Sequence, residues 1–388
     1  MDQSGTFLWE LFLIFTGGKL LAEVFERLRQ PAVMGELIAG VLLGPSVFGL
    51  IHPGEMTAGL AEMGAIFLLF SVGLETKPHD LLKVGLTAAS TAALGVLVPF
   101  LLGFAYMTSI GTSMPESIFV GAAMVATSVG ITARVLSDAG VLSKRFAHVI
   151  LAAAVLDDIL GMIVLAVVSS LASGAINYPS LIAVALEAVG LTALILLFGP
   201  RVARRLDRTV TRLSARNSAF MLSIIMCLGL SFASHYVGMA AIIGAFLVGL
   251  ALAEQSEQWR LRESTGPVSD FLTPFFFVLI GAQVNLRTLF QPGLLAILVA
   301  ICSIAFISKF IGCGLASLSL GWRNALRVGV GMIPRGEVGL IVAAVGLRLH
   351  TISEAVYLVV VGMSLITTLL TPPILRLLLP HPAPEEGR

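Results

Sequence analysis

Apolar residues along this chain come in long runs rather than in stripes. A membrane helix needs about 20 mostly apolar residues, and thirteen windows qualify: 7–25, 32–51, 57–74, 86–107, 117–136, 147–172, 180–200, 217–235, 238–253, 268–284, 290–318, 324–346 and 354–378. Period-two alternation is absent, so no strands are expected. Polar residues only punctuate the runs. The longest polar stretch is the linker Arg201–Arg216, and the tail after Pro380 is eight residues. The first run has no basic start and no small-residue cleavage site, so it reads as a span rather than a cleaved signal.

Composition sharpens this reading. Of 388 residues, 57% are hydrophobic and 12% charged, against about 25% charge in a soluble globular protein. The fold class expected is an all-α polytopic membrane protein. A net charge of +1 leaves no footprint for nucleic acid. Cys227, Cys302 and Cys313 all lie inside apolar runs and form no metal or disulfide spacing. No nucleotide loop or nucleophile triad appears, so neither a cofactor nor enzymatic chemistry is expected.

Lys and Arg orient the bundle. With the N-terminus outside and the C-terminus inside, nineteen of them fall in inner loops and only Arg287 and Arg348 in outer ones. A different number of spans would scramble that alternation.

The glycines carry a repeat. Gly35 and Gly40 match Gly244 and Gly249; Phe67 and Gly73 match Phe275 and Gly281; Val129-Gly130 matches Val338-Gly339. The offsets are 208 or 209 residues throughout. They carry span 2 onto span 9, a shift of seven, so the second copy lies upside down in the membrane. Six plus six helices in inverted topology, with span 7 between them, are a signature of secondary transporters.

In such folds the ion site lies where helices are interrupted at matching positions. Span 5 contains Thr127, Ser128 and, in mid-run, Gly130. Span 12 contains Gly331, Pro334, Arg335, Gly336, Glu337 and Gly339. Proline removes a backbone donor and clashes with the preceding turn, and glycine weakens a helix further. Both spans are expected to unwind near the midplane and cross there.

Five ionisable residues lie inside spans 6, 11 and 12: Asp157 and Asp158, Lys309, and Arg335 with Glu337. Each would cost roughly 2.5–3.5 kcal/mol if ionised at the bilayer centre, so they must pair or line a wet cavity. Neighbours on a helix point about 100° apart, so one aspartate can face a protein partner and the other a cavity. Like charges this close resist ionising together. A carboxyl that trades its proton for a hard cation such as Na⁺ or Li⁺ fits that setting, with unwound carbonyls and hydroxyls of span 5 completing the shell. Lys309 can hold one aspartate in a salt bridge or snorkel to the inner interface. Arg335 and Glu337 can act as a pair that neutralises the broken helix.

The segments Ala126–Arg134, Leu156-Asp-Asp-Ile-Leu-Gly161, Lys309 and Pro334–Leu340 resemble the monovalent cation/proton antiporter family, and within it the bacterial Na⁺/H⁺ antiporters of the second branch. The resemblance runs over nearly the whole chain. It implies a homodimer, with scaffold helices in 1–84 and 217–288 and ion-binding core helices in 85–173 and 289–379. Residues 174–216 would be connector and linker, and 380–388 a tail. It also implies that Asp158 binds Na⁺ and the proton, that Asp157 pairs with Lys309, and that Thr127 and Ser128 sit in the unwound crossing. The paired aspartates imply electrogenic exchange across the cell membrane. A nucleotide-binding domain like that of the potassium-efflux relatives does not follow the last span, so ligand gating of their kind is not expected, although K⁺ stays open as a substrate.

Competing classes fit less well. A K⁺/H⁺ exchanger or a sodium-coupled symporter of related fold is the nearest alternative. An intramembrane aspartyl protease needs its two acids on separate helices, whereas these are adjacent. A channel needs a continuous pore and no proton coupling.

Overall fold

The structure is a computed structural model that describes residues 3–28, 30–52, 54–76, 79, 83–172, 178–210, 217–237, 239–283, 292–335 and 337–379. Apart from one short 3₁₀ turn, the regular elements among them are all α-helices. The first seven are α1 (Gln3–Arg27), α2 (Ala32–Leu43), α3 (Glu55–Glu75), α4 (Gly85–Ser109), α5 (Met114–Ala123), α6 (Val129–Asp138) and α7 (Arg145–Ala172). Then comes α8 (Tyr178–Val210), followed by α9 (Ser218–Tyr236), α10 (Ala241–Leu252), α11 (Leu261–Ala282), α12 (Pro292–Ala316), α13 (Trp322–Gly331), α14 (Glu337–Arg348) and α15 (Glu354–Leu378). Eight described helices are long and apolar enough to cross a membrane.

Every predicted span falls on a helix or on a pair of half-helices, and the departures have local causes. Span 2 was expected to reach residue 51, yet α2 stops at Leu43, with Gly44 extended as its cap. Pro45 explains this, because the residue before a proline is pushed out of the helical region. Helix α11 begins seven residues before its predicted span, because Arg262 and Glu263 depress the hydropathy of its first turn without disrupting the helix. The basic stretch from Arg201 was expected to be a linker, yet α8 continues as helix to Val210. Residues 211–216 lie outside the described residues.

The helices sort into two groups. Helices α1–α3 pack with α9–α11: α3 against α10 and α11, α2 against α11, α1 against α2 and α9 against α10. In the other group, α4 packs against α12, α5 and α7, and α12 against α13 and α15. Exchanging the two copies of the repeat maps these contacts onto one another.

Glycines make the symmetry exact at backbone level. Gly40 of α2 meets Gly281 of α11, and Gly73 of α3 meets Gly249 of α10. Under the repeat offset these are the same contact seen twice. A Cβ on Gly35 would strike the backbone of Leu21, and one on its repeat mate Gly244 that of Leu230, again 209 residues on. Between apolar helices in lipid, association rests on close van der Waals approach, which small residues permit.

Gly73→Val and Gly249→Val should therefore lower the melting temperature alike. In each case the new side chain meets a carbonyl, of Phe246 or Phe70, that cannot move aside. Overpacking of this kind costs about 1–3 kcal/mol. Gly59 lies inside α3 and faces open space, so Gly59→Ala should leave the melting temperature unchanged or raise it slightly, since alanine favours the helix. Thermal unfolding of the purified protein followed by size-exclusion chromatography measures all three.

Candidate functional site

Spans 5 and 12 are both broken. Helix α5 ends at Ala123 and α6 begins at Val129; α13 ends at Gly331 and α14 begins at Glu337. Among the described residues, 125–128 and 333–335 leave the regular helical ladder, and their backbone groups need other partners. They find each other. The Ser128 amide donates to the Pro334 carbonyl at 2.7 Å. The Thr132 hydroxyl donates to the Gly331 carbonyl at 2.6 Å, and the Thr127 hydroxyl to the Met332 carbonyl at 3.4 Å. Helix α15 closes the crossing from the side. Its Thr367 hydroxyl accepts from the Arg335 amide, and its Thr368 hydroxyl donates to the Arg335 carbonyl.

Two cations serve the carbonyls that remain. Lys309 of α12 has no exposed side-chain surface, so it does not snorkel. Its Nζ donates to Gly95 at 2.8 Å, to Val125 at 2.7 Å, and to both oxygens of Asp157 at 3.1 and 3.0 Å. Asp157 is likewise buried, at 1% exposed. Arg335 donates to the carbonyls of Val125, Ala126 and Ala305. Carbonyls past the end of α5 carry the negative end of a helix dipole, which favours cations.

Asp158 turns the other way. Half-buried rather than buried, it leaves α7 toward the other helix group, where the Ala240 amide just before α10 reaches its Oδ2 at 3.4 Å. Nearby, a cavity of about 310 Å³ lies between the two groups, lined among others by Ala58, Glu62, Ser128, Phe276, Gln283 and Arg335. Its lining reaches Ala58 and Ala241, in the first turns of α3 and α10.

The structure thus brings Asp157, Lys309, Thr127, Ser128, Pro334 and Arg335 into one crossing, with Asp158 at its edge. Gly130 lies just inside α6, where a Cβ would touch the Phe276 ring. Gly336 and the Glu337 side chain lie outside the described residues. Sequence reasoning missed the Ala240 amide, which a loop alanine does not signal. It also missed the hydroxyls of Thr367 and Thr368, whose mid-span position was the available clue.

A broken-helix crossing in an all-helical, internally inverted membrane fold, with buried acids and a buried lysine, marks a membrane ion transporter. The family model described as sodium/hydrogen exchanger, transmembrane, matches residues 12–380, and the chain belongs to that family. It is 35% identical to the high-affinity Na⁺/H⁺ antiporter NhaS3 of Synechocystis, over 98% of this chain and 91% of that one. It is 32% identical to the Na⁺/H⁺-K⁺ antiporter GerN of Bacillus cereus, over 95% of both. The solved structure of the sodium proton antiporter MjNhaP1 from Methanocaldococcus jannaschii has the same fold, with a TM-score of 0.63 at 20% identity, covering 97% of this chain and 96% of that one. The family is one of transporters.

The burial of the Lys309–Asp157 pair sets a stability test. Removing one partner of a buried pair costs about 3–5 kcal/mol, whereas removing both is far milder. Asp157→Asn should thus lower the melting temperature more than Asp157→Asn combined with Lys309→Gln. A double-mutant cycle in thermal unfolding measures the difference.

Proposed function

We propose that this protein exchanges Na⁺, or Li⁺, for protons by alternating access, with Asp158 holding the cation in one half-cycle and a proton in the other. The observation that carries the reading is the unlike placement of two adjacent acids. Asp157 is buried and doubly bound to Lys309, while Asp158 is half-buried and free of any cationic side chain among the described residues. A carboxylate with one weak amide contact keeps lone pairs for a hard cation, which favours oxygen ligands. Ser128 and Thr127, in the crossing, would supply further oxygens.

The moving core is residues 85–173 and 289–379, which contain both broken helices, Asp158 and Lys309. The scaffold is residues 1–84 and 217–288, through which two copies form a homodimer. The loop charges set the N-terminus outside and the C-terminus in the cytoplasm of a cell with this chain in its inner membrane. The cavity then faces outward.

Lys309 pairs with Asp157 when no cation is bound and gives up its proton as Na⁺ arrives. Two protons then exchange for one Na⁺, and one net charge crosses per cycle. Such a cycle draws on the membrane potential at roughly 2.3 kcal/mol per 100 mV. A second reading, with K⁺ as an alternative cargo, is favoured by the name of the Bacillus cereus relative, an Na⁺/H⁺-K⁺ antiporter.

Asp158→Asn keeps the side-chain volume and removes the charge. Purified, folded Asp158→Asn in proteoliposomes should lose Na⁺-, Li⁺- and K⁺-dependent proton flux, read with a pH-sensitive dye. Flux within a few-fold of the parent would end the proposal for Asp158. Titrating the three cations against the parent decides between the two cargo readings.

A further inference from the structure

On the far side of the crossing from the cavity, the two helix groups are joined by charge. Arg134, in the last turns of α6, has a side chain 15% exposed; its Nε lies 3.1 Å from Asp138 on the same helix. Its NH1 reaches across to Asp270 of α11 at 3.9 Å. A second acid, on α2, interacts with it electrostatically from beyond salt-bridge distance. Glu36 is 1% exposed, and its Oε2 is buried without a hydrogen-bond partner. Arg134 and, from α1, Lys19 supply its favourable charges, while Asp138 and Asp270 repel it. Glu26 adds a further repulsion at Asp138. Burial weighs most heavily against a charge on Glu36, so its charged form depends on a nearby cation, and Arg134 belongs to the opposite helix group.

This cluster lies at the opposite end of the seam from the cavity. On α11 the cavity lining runs from Gln283, just past its end, down to Phe276, and Asp270 sits six residues before Phe276, a further rise of roughly 9 Å along the helix. On α6 the order is the same: Ser128 and Ile131 line the cavity, Arg134 lies beyond them, and Val135 and Asp138 line a separate small cavity with Glu26 and Arg376.

We propose that Arg134 is the latch that seals this end of the seam, by binding the core helix α6 to Glu36 and Asp270 of the scaffold while the cavity is open at the other end. The inference rests on the alternating-access reading above. It adds a positioning residue that touches no cargo and sets which mouth is open. When the core shifts, Arg134 leaves Glu36 and Asp270 and keeps Asp138, which travels with it on α6. The guanidinium is never stripped of a carboxylate, so the latch can release.

Two cysteine probes report the two mouths separately. Ile131→Cys lies against the cavity, and Val135→Cys lies against the small one beyond the latch. Maleimide labelling of purified protein in detergent, quantified at each site by peptide mass spectrometry, follows both. Adding Arg134→Gln should speed labelling at Val135→Cys at least threefold and slow it at Ile131→Cys by a similar factor. Arg134→Lys should keep both within twofold. Unchanged rates at both sites overturn the proposal, and so do faster rates at both, which mean mere loosening. If Arg134→Gln does not fold, Glu36→Gln with Asp270→Asn takes its place, with the same opposed changes expected. Labelling needs no flux. Opposed shifts in a protein that fails to exchange would uphold the latch and not the function, and exchange without opposed shifts would do the reverse.

Discussion

Two helices that stop in the middle of a membrane leave carbonyl and amide groups with no water to satisfy them. Everything at this site answers to that constraint. Each broken span supplies donors and acceptors to the other, as in the Ser128–Pro334 and Thr132–Gly331 contacts. The carbonyls left over at Val125 and Ala126 are taken by Lys309 and Arg335, which also reach carbonyls of the neighbouring helices, Gly95 of α4 and Ala305 of α12. Non-helical backbone survives at membrane depth only where protein or a wet cavity encloses it. Here both conditions hold, protein around the cations and a cavity against Ser128.

Charge then sorts itself. Lys309 is paired with Asp157, and Arg335 is served by carbonyl dipoles at NH1 and NH2 while its Nε has no partner. Asp158 is left as the acid with spare capacity, and it stands at the boundary between the two helix groups. A carboxylate there is energetically quiet only with a proton or a cation bound. In the proposed exchange cycle, that requirement would link the chemistry of this one side chain to movement of the core, because an empty, charged Asp158 is costly to carry through the seam.

Much of this was legible in the sequence, for physical reasons. Apolar runs announce spans because lipid tolerates little else. Gly40, Gly73, Gly249 and Gly281 announced an inverted repeat because two backbones touch where they lie. Pro334 announced a break because it stands among Gly331, Gly336 and Gly339, which weaken the helix on both sides of it, whereas Pro99 in α4 and Pro274 in α11 are absorbed. What stayed hidden depends on contacts across space. Arg134 reads as one more inner-loop arginine at a span end, and Glu36 as a lone acid in an apolar run. Only the packing of α2, α6 and α11 makes them a cluster. The Ala240 amide is invisible for the same reason, since any residue there offers the same group. The helical run past Arg201 was hidden by composition, because hydropathy falls with charge while helix propensity does not.

The central claim is that one carboxyl serves both Na⁺ and the proton, and the most direct test is proton release on cation binding. Purified protein in weakly buffered detergent is titrated with Na⁺ at several pH values while the free proton concentration is followed. The account predicts stoichiometric proton release, with apparent Na⁺ affinity falling close to tenfold per unit of decreasing pH on the acid side, and release above one proton per Na⁺ if Lys309 takes part. Na⁺ binding that releases no protons, with an affinity that does not change with pH, would contradict it.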